Sequence, residues 1–223
     1  MKGEPKVVVL EDPEAVAKLG AELIDSVITE RLAATGRADI ALSGGRIAGL
    51  LFDELTALGR DWNGVHLWIA DERCVPADDE ESNVRLVRER LAAPGSVLHA
   101  PPDDGDAEKR ALAYSFQLKD RVLDLIMLSI GEDAHTASLF PDNPAIDDDR
   151  TIVPVHDAPK PPPERTSLGL GTLNASPQRL MLVTGEGKRE ALKQCLGEPS
   201  KSAPSSLLEA AGTTVLVDRA AAG

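Results

Sequence analysis

Segments with the pattern of β-strands alternate with segments of helical periodicity along almost the whole chain, and this alternation limits the possible folds more than any other feature. The clearest strand is the almost wholly apolar run 123–130, as expected where both faces of a sheet are covered. The clearest helix is 15–33, in which apolar residues recur at helical spacing. Alternating strands and helices predict an α/β fold with a mostly parallel central sheet.

The same patterns predict the remaining elements. We expect strands at 7–10, 38–42, 65–70, 151–155, 166–170, 180–184 and 213–217. We expect helices at 47–58, 82–91, 107–119 and 187–196, and one more that begins near residue 135. Ligands of open parallel sheets bind at the carboxyl ends of the strands, so the motifs that follow strands are the candidates for function.

Length and composition predict one ordinary globular domain, residues 1–223, with 42% apolar and 27% charged residues. No run approaches the roughly 20 apolar residues of a membrane span, and the first five residues lack the core of a signal peptide. Cys74 and Cys195 are far apart in the chain and form no CxxC, so we expect neither a disulfide framework nor a cysteine metal site. We expect a cytoplasmic monomer without a membrane partner.

The net charge of −13 argues against a nucleic-acid partner, because neutralising phosphates needs a basic surface. The acidic excess is unevenly placed. The segments 78–81, 103–108 and 147–149 hold eleven acidic residues and no Lys or Arg, and they have the composition of solvated loops. The rest of the chain is nearly neutral, so an anionic substrate is still compatible with a local group of cations.

A glycine-bearing segment, Ser43-Gly44-Gly45-Arg46, joins the second predicted strand to a predicted helix. Glycines let backbone N–H groups approach an anion, and a helix N-terminus adds partial positive charge. The guanidinium of Arg46 adds a forked donor. A plain strand–helix turn that needs glycine dihedrals explains the segment equally well. It is not a P-loop, because no Gly-Lys-Ser/Thr follows.

The segment Asp71-Glu72-Arg73 follows the third predicted strand. At this position Arg73 is a candidate donor to a phosphate or carboxylate, and Asp71 is a candidate to orient a water or a base. A local ion pair at the surface is the alternative. Ser82 and Asn83 open the next predicted helix, where capping alone explains them.

The candidate catalytic base is His135, which follows the most apolar predicted strand. An imidazole has an ordinary pKa of about 6.5, near working pH, so it can accept and return a proton. Asp133 is placed to set the tautomer of that imidazole. The alternatives are that Asp133 caps a helix and that His135 is structural. No pair of histidines has the spacing of a zinc site, and we expect no metal.

Two more cations are candidates for phosphate binding. Lys188 opens a predicted helix after a strand, and Arg165 closely follows the proline-rich segment 159–163. Each is also explained as a solvated surface residue. No GxSxG elbow is present, so we do not expect a nucleophilic serine.

Together, and in this order, these motifs resemble the 6-phosphogluconolactonase family. The resemblance is carried by Ala-Leu-Ser-Gly-Gly at 41–45, His-Leu-Trp-Ile-Ala-Asp-Glu-Arg-Cys-Val-Pro at 66–76, Ser-Asn at 82–83, Gly-Glu-Asp-Ala-His-Thr-Ala-Ser-Leu-Phe-Pro at 131–141, the segment 159–166 and Val-Thr-Gly-Glu-Gly-Lys at 183–188. It spans nearly the whole chain. It implies a three-layer α/β sandwich, similar to the fold of glucosamine-6-phosphate deaminases and ribose-5-phosphate isomerases.

The resemblance also implies a reaction, the hydrolysis of 6-phospho-D-glucono-1,5-lactone to 6-phospho-D-gluconate in the oxidative branch of the pentose phosphate pathway. The partner is then a small phosphorylated sugar lactone, with no organic cofactor and no catalytic metal. The implied base that activates water is His135. The predicted catalytic residues are His135, Asp71 and Asp133, and the predicted substrate-binding residues are Ser43, Gly44, Gly45, Arg46, Arg73, Asn83, Arg165 and Lys188. We expect the four cations of this set to meet in one cleft.

The sequence departs from the family pattern at three places. Arg-Ile-Ala at 46–48 replaces Ser-Thr-Pro, which removes two hydroxyl donors and adds a guanidinium. Ser129 and Ala134 replace two glycines, and Asp142 replaces the glycine after Phe-Pro. If Ala134 has a positive φ, it costs roughly 1–2 kcal/mol.

Two other functions remain open. One is a related sugar-phosphate enzyme such as a glucosamine-6-phosphate deaminase, although the motifs at 71–73 and 135–141 favour the lactonase. The other is a non-catalytic sugar-phosphate sensor. Such modules usually carry a DNA-binding segment, which we do not expect in an acidic chain whose first strand begins near its start.

Overall fold

The structure is a computed structural model that describes residues 4–223 and contains two β-sheets and seven α-helices in that range. The strands are β1 (Lys6–Leu10), β2 (Ala38–Leu42), β3 (Val65–Ile69), β4 (Asp71–Arg73), β5 (Val97–His99), β6 (Leu125–Ser129), β7 (Ile152–Val155), β8 (Arg165–Leu168), β9 (Arg179–Val183) and β10 (Thr213–Asp218). The helices are α1 (Pro13–Thr35), α2 (Arg46–Ala57), α3 (Asn83–Arg90), α4 (Ala107–Leu118), α5 (Leu170–Ala175), α6 (Arg189–Cys195) and α7 (Arg219–Ala222).

The large sheet has seven strands in the order β1-β10-β9-β6-β2-β3-β5, and every neighbouring pair is parallel. Parallel neighbours need crossover connections, which the intervening helices supply. Strands β9, β6 and β2 lie side by side in the middle of the sheet. Their carboxyl ends therefore meet at one edge, and the predicted mostly parallel sheet is confirmed.

Both faces of this sheet are covered, which makes the fold a three-layer sandwich as predicted. Successive side chains of a strand point to opposite faces. In β2, Ile40 and Leu42 pack with α1, α2 and α3, whereas Ala41 packs with the layer that contains α4, α6, α7 and the second sheet. Because each strand contributes to two apolar layers, its sequence reads as a continuous apolar run.

The second sheet is small and antiparallel, with the order β4-β8-β7. Its strand β4 is the segment 71–73, which was expected only as the segment that follows the third predicted strand. Ala70 sits between the two sheets, since its N–H donates to Leu42 of β2 and its carbonyl accepts from Leu168 of β8. The chain thus leaves the large sheet at Ala70 and enters the small one at Asp71.

Several expected elements differ from the structure. The helix expected to begin near residue 135 is absent, and 131–142 forms tight turns instead. The strand expected at 166–170 is shifted to Arg165–Leu168 and is followed by the short helix α5, which the patterns missed along with β5. The helix expected at 187–196 begins at Arg189, after a 3₁₀ turn at Glu186–Lys188. Within residues 4–223 no helix is long and apolar enough to cross a membrane.

Candidate active site

A cavity of about 660 Å³ opens at the carboxyl edge of the central strands of the large sheet. Its walls come from the segments that follow β2, β3, β6 and β9, together with the connection that leads into β8. Ten of the eleven predicted site residues line it, and the eleventh, Asp133, reaches it through His135. The predicted site residues thus lie at the carboxyl edge of this sheet.

The imidazole of His135 is held by two contacts. Its Nδ1 lies in hydrogen-bond contact with Oδ1 of Asp133, and its ring is tilted against the ring of Phe140 with the centroids 4.5 Å apart. With Nδ1–H donated to the carboxylate, Nε2 is the nitrogen left to accept a proton; this tautomer follows from the hydrogen bond. Burial raises the pKa of Asp133, but the hydrogen bond and charge of His135 outweigh it and bring that pKa down to about 2.

The backbone before His135 turns too tightly for a helix. The N–H of Gly131 donates to the carbonyl of His135 at 2.9 Å, and the N–H of Ala134 donates to the carbonyl of Gly131 at 3.1 Å. A Cβ at Gly131 would lie 2.0 Å from Nδ1 of His135, so no side chain fits there. Asp133 therefore contacts the imidazole and does not cap a helix.

Two of the departures from the family pattern fall on strained backbone positions. Ala134 has φ 61° and Asp142 has φ 55°, both in the left-handed region that glycine adopts without cost. Ala137 has φ 48° in the same loop. An L-residue with a side chain costs roughly 1–2 kcal/mol in this conformation. Ala134 therefore has the positive φ on which this energetic cost depends.

Asp71 is buried in the cavity wall and links two loops. Its Oδ1 accepts from the hydroxyl of Ser43 at 2.7 Å, and its Oδ2 accepts from the hydroxyl of Ser138 at 2.8 Å. Ser43 belongs to the loop after β2, and Ser138 belongs to the loop that carries His135. The carboxylate therefore fixes the position of one loop relative to the other.

The glycine segment forms the open N-terminus of α2. Gly45 is its N-cap with φ 108°, and no side chain caps the helix. The first backbone N–H groups of α2 therefore keep their capacity to bind an anion. Gly44 packs against Asn83 so closely that a Cβ there would lie 1.9 Å from Oδ1 of Asn83. Asn83 in turn donates from Nδ2 to the backbone carbonyl of Asp71 at 2.7 Å.

The middle residue of the Asp-Glu-Arg segment is a buried anchor. The carboxylate of Glu72 accepts from the backbone N–H groups of Arg73, Asn83 and Val84 at 2.8 Å each and from the hydroxyl of Ser82 at 2.9 Å. Burial raises the pKa of Glu72 in spite of these donors. Glu72 therefore does not form the surface ion pair that was the alternative for this segment. It ties the N-terminus of α3 to β4.

The four predicted cations Arg46, Arg73, Arg165 and Lys188 all line the cavity, as expected. The pKa of Lys188 is lowered, first by burial and then by neighbouring positive charges that include Arg46. Arg73 has a different neighbour, since its Nη1 lies 3.2 Å from Oε2 of Glu81. Glu81 also lines the cavity, so the first acidic segment reaches the site and is not merely a solvated loop.

Some residues of the cavity wall were not assigned from the sequence. Lys160 is one; the proline run around it suggested only a stiff connection between strands. Phe140 is another. Its ring contacts the ring of His135, and the guanidinium of Arg165 lies 5.2 Å from its centroid. Ser138, whose hydroxyl supports Asp71 from outside the wall, was not assigned either. The Phe-Pro and proline-run motifs were visible, but their partners depend on the fold.

The other histidines lie outside this cavity. His66 and His99 share a hydrogen bond of 2.8 Å, and His99 stacks on Trp68 with centroids 3.9 Å apart. His156 pairs with Glu164 at 2.7 Å on the surface. In the part of the chain that the structure describes, no three His, Cys, Asp or Glu side chains form a group that could hold a metal ion.

Known proteins resemble the chain in sequence and in fold. Residues 11–217 match the family described as glucosamine-6-phosphate isomerases/6-phosphogluconolactonase. The chain is 34% identical to the 6-phosphogluconolactonase of Streptomyces coelicolor, with 100% of this chain and 95% of that protein aligned. The crystal structure of a 6-phosphogluconolactonase from Shewanella baltica superposes with a TM-score of 0.89 at 28% identity, over 98% of this chain and 99% of that one. A monomeric glucosamine-6-phosphate deaminase has a TM-score of 0.85 at 21% identity over 97% and 98%, a likeness of fold alone.

Proposed function

The chain belongs to the glucosamine-6-phosphate isomerase/6-phosphogluconolactonase family, and we propose that it hydrolyses 6-phospho-D-glucono-1,5-lactone to 6-phospho-D-gluconate in the oxidative branch of the pentose phosphate pathway. The observation that carries the proposal is the pairing of His135 with Asp133 on the wall of a cavity that also holds Arg46 and Lys188. A base and a cluster of cations in one cavity suit an ester that also carries a phosphate.

His135 acts first as a general base. Its Nε2 removes a proton from a water molecule as the water oxygen attacks C1 of the lactone, and the ionised Asp133 stabilises the imidazolium that forms. The C1 carbonyl oxygen becomes an oxyanion in this step. The low pKa of Asp133 keeps its carboxylate charged at any working pH, which supports this role.

His135 then acts as a general acid. The tetrahedral intermediate reforms the C1 carbonyl and breaks the bond between C1 and the ring oxygen, which takes the proton from Nε2 and becomes the hydroxyl on C5. The resulting carboxylic acid loses a proton to water. A reactive lactone needs no covalent intermediate. The hydroxyls of Ser43 and Ser138 both donate to Asp71, which agrees with a mechanism that uses no serine nucleophile.

The phosphate binds at the uncapped N-terminus of α2, between Arg46 and Lys188. Two observations support this placement. No side chain caps the backbone N–H groups that follow Gly45, and Arg46 and Lys188 line the same cavity. In this chain the guanidinium of Arg46 takes the place of the hydroxyl donors of the family pattern. Asn83 and Gly44 hold the loop in shape by their close contact.

Arg73 supplies a further donor to the substrate. Its Nε is buried and has no hydrogen-bond partner among the described residues, whereas its Nη1 contacts Glu81. We propose that Arg73 turns this capacity toward the oxygen atoms of the bound lactone. Glu81 then limits the net positive charge on that side of the cavity.

We further propose that the enzyme works in the cytoplasm as a monomer and binds no nucleic acid. Cys74 and Cys195 are free thiols, which suits a reducing compartment, and the net charge of −13 is unfavourable for nucleic acid. Burial raises the pKa of Cys74 to about 11, so this thiol is not a ready nucleophile. Light scattering coupled to gel filtration tests the monomer.

The activity is tested with freshly prepared 6-phosphogluconolactone, whose disappearance is corrected for spontaneous hydrolysis. We expect the purified protein to accelerate it by several orders of magnitude and to release no ammonia from glucosamine 6-phosphate. Ammonia release without lactone hydrolysis would instead support the deaminase function. Thermal stabilisation by 6-phosphogluconate without turnover of either compound would support a sensor.

A further inference from the structure

The proline-rich strap, defined here as residues 159–163, forms one wall of the cavity. Four of its five residues are prolines, so Lys160 is the only one with a backbone N–H. The strap cannot fold by pairing its own donors with its own carbonyls. Its shape must be set by donors that come from elsewhere.

Arg165 supplies most of those donors, and the N–H of Ala158 supplies one more, to the carbonyl of Pro163 at 2.9 Å. The Nε of Arg165 donates to the carbonyl of Pro162 at 3.1 Å, and its Nη2 contacts the carbonyls of Lys160 at 3.0 Å and Pro161 at 3.4 Å. The side chain is buried and its guanidinium lies over the ring of Phe140. The Nε and Nη2 groups of this guanidinium are therefore directed at the strap.

Lys160 and Pro161 are the strap residues that line the cavity, and Lys160 is the one with a charged side chain. Its ammonium makes no hydrogen bond or ion pair with any residue from 4 to 223. It shares the cavity with Lys188 and Arg46, and the charge of Lys160 lowers the pKa of Lys188 and of Asp133 in the same direction as other nearby cations do. Glu132 and Asp133 offset part of the positive charge at Lys188, and an anion that binds between the three cations adds further attraction.

We propose that Lys160 is a substrate-contacting residue that donates to the phosphate, and that Arg165 is a positioning residue that acts through it by holding the strap. This inference rests on the proposed function for the identity of the anion. The sequence predicted Arg165 as a direct donor to the substrate, and the inference gives it a positioning role instead. The strap links the two, since the Lys160 carbonyl is itself one of the acceptors of Arg165.

The first test uses Lys160→Met, an exposed position where the variant keeps the stem and loses the charge. We expect the Kd of 6-phosphogluconate, measured by calorimetry, to rise about tenfold or more. We expect kcat/KM to fall for the phosphorylated lactone and to stay unchanged for D-glucono-1,5-lactone, which has no phosphate. Lys160→Arg should recover most of the affinity. The matched control is Lys193→Met, an exposed lysine paired with Glu190, whose Kd should equal that of the wild type.

The second test addresses the strap. Pro161→Gly makes the backbone of the strap more flexible and leaves the Arg165 side chain unchanged. Arg165→Lys keeps the buried charge but loses the planar fork of the guanidinium. We expect each to raise the Kd as Lys160→Met does, and we expect each double variant with Lys160→Met to bind no more weakly than Lys160→Met alone. Thermal unfolding of each variant checks that it is folded. If Arg165→Lys does not fold, Pro161→Gly, at an exposed position, tests the role of the strap by itself.

Three results would overturn the inference. An unchanged Kd in Lys160→Met would remove Lys160 from the phosphate site. Losses that multiply in the double variants would show that Arg165 contacts the substrate itself. A wild-type protein that binds 6-phosphogluconate but does not hydrolyse the lactone would refute the proposed function while leaving the inference standing, and one that does not bind it at all would refute both.

Discussion

The hydroxyl of Ser138 donates a hydrogen bond of 2.8 Å to Oδ2 of Asp71, across 67 residues of sequence. Both groups are buried, and the other oxygen of the carboxylate accepts from Ser43. The loop that carries the base and the loop that opens α2 are thus held by one side chain. The distance between the proposed base and the proposed phosphate site is therefore set by Asp71, which is itself held in β4 of the small sheet.

Ser138→Ala removes one of these two hydrogen bonds and leaves a carboxylate oxygen buried without its partner. We expect a loss of about 1–3 kcal/mol in the free energy of unfolding and a fall of roughly tenfold in kcat, because the base shifts relative to the substrate. Urea denaturation and the lactone assay measure the two effects. Ser115→Ala, on α4, is the control that should change neither. A fully active Ser138→Ala would mean that Asp71 does not position the base.

Lys188 has a pKa below its ordinary value, chiefly because it is buried. It therefore loses its proton, and its attraction for phosphate, at a lower pH than an ordinary lysine does. We expect the Kd of 6-phosphogluconate to rise on the alkaline side, beginning below pH 10.5, which is the ordinary lysine value. Lys188→Arg should move that rise to higher pH, because a guanidinium stays charged. Identical alkaline profiles for the two proteins would exclude Lys188 from the phosphate site.

The sheet and the position of the site were predictable from the sequence because both depend on local patterns. Apolar runs such as 123–130 report burial on both faces, and the polar segments that follow them must meet at one edge. The small sheet was not predictable in the same way. Strand β4 has three residues, and its partner β8 lies more than 90 positions along the chain, so no periodicity is long enough to reveal it.

The site residues follow the same division. His135 and Asp133 are two positions apart, so their contact was predictable from the local sequence. The role of Glu72 was not, because three of its four donors come from the N-terminus of α3 and only the fold brings that helix to the carboxylate. The helix expected near residue 135 was wrong for a related reason. Gly131 and the left-handed Ala134 allow a tight turn that helical spacing of apolar residues does not register.

The pair formed by His66 and His99 should make stability sensitive to acid. Burial lowers the pKa of both rings, with Arg37 and Arg121 also lowering it and Asp39 opposing the change. The unfolded chain therefore binds protons at a pH where the folded protein does not, and the free energy of unfolding falls as the pH drops below about 6.5.

The variant that tests this is His99→Phe, which keeps an aromatic ring on Trp68 and removes one titrating group. We expect a shallower fall of the urea midpoint between pH 7 and pH 5 than in the wild type. His156→Phe, at an exposed position, is the control and should keep the wild-type slope. Equal slopes in all three proteins would refute a contribution from the pair.

Ala134→Gly should relieve strain next to His135, the proposed base. Its φ of 61° costs roughly 1–2 kcal/mol for alanine, against about 0.5–1 kcal/mol that glycine loses through its freer unfolded chain. We expect a net gain of up to about 1 kcal/mol in the free energy of unfolding. Ala111→Gly, inside α4, is the matched control and should destabilise by about 1 kcal/mol. Both alanines are buried, so an Ala134→Gly that loses as much stability as Ala111→Gly would show that this backbone position is not strained.

The central claim is that His135 activates water against a phosphorylated lactone, and the direct measurement is the rate of hydrolysis of fresh 6-phosphogluconolactone by the wild type, His135→Ala and His156→Ala. We expect His135→Ala to lose about 10²–10⁴-fold in kcat while it still binds 6-phosphogluconate with a Kd close to that of the wild type. His156→Ala, which removes a surface imidazole paired with Glu164, should retain full activity. A folded His135→Ala protein that hydrolyses the lactone as fast as the wild type would contradict the account.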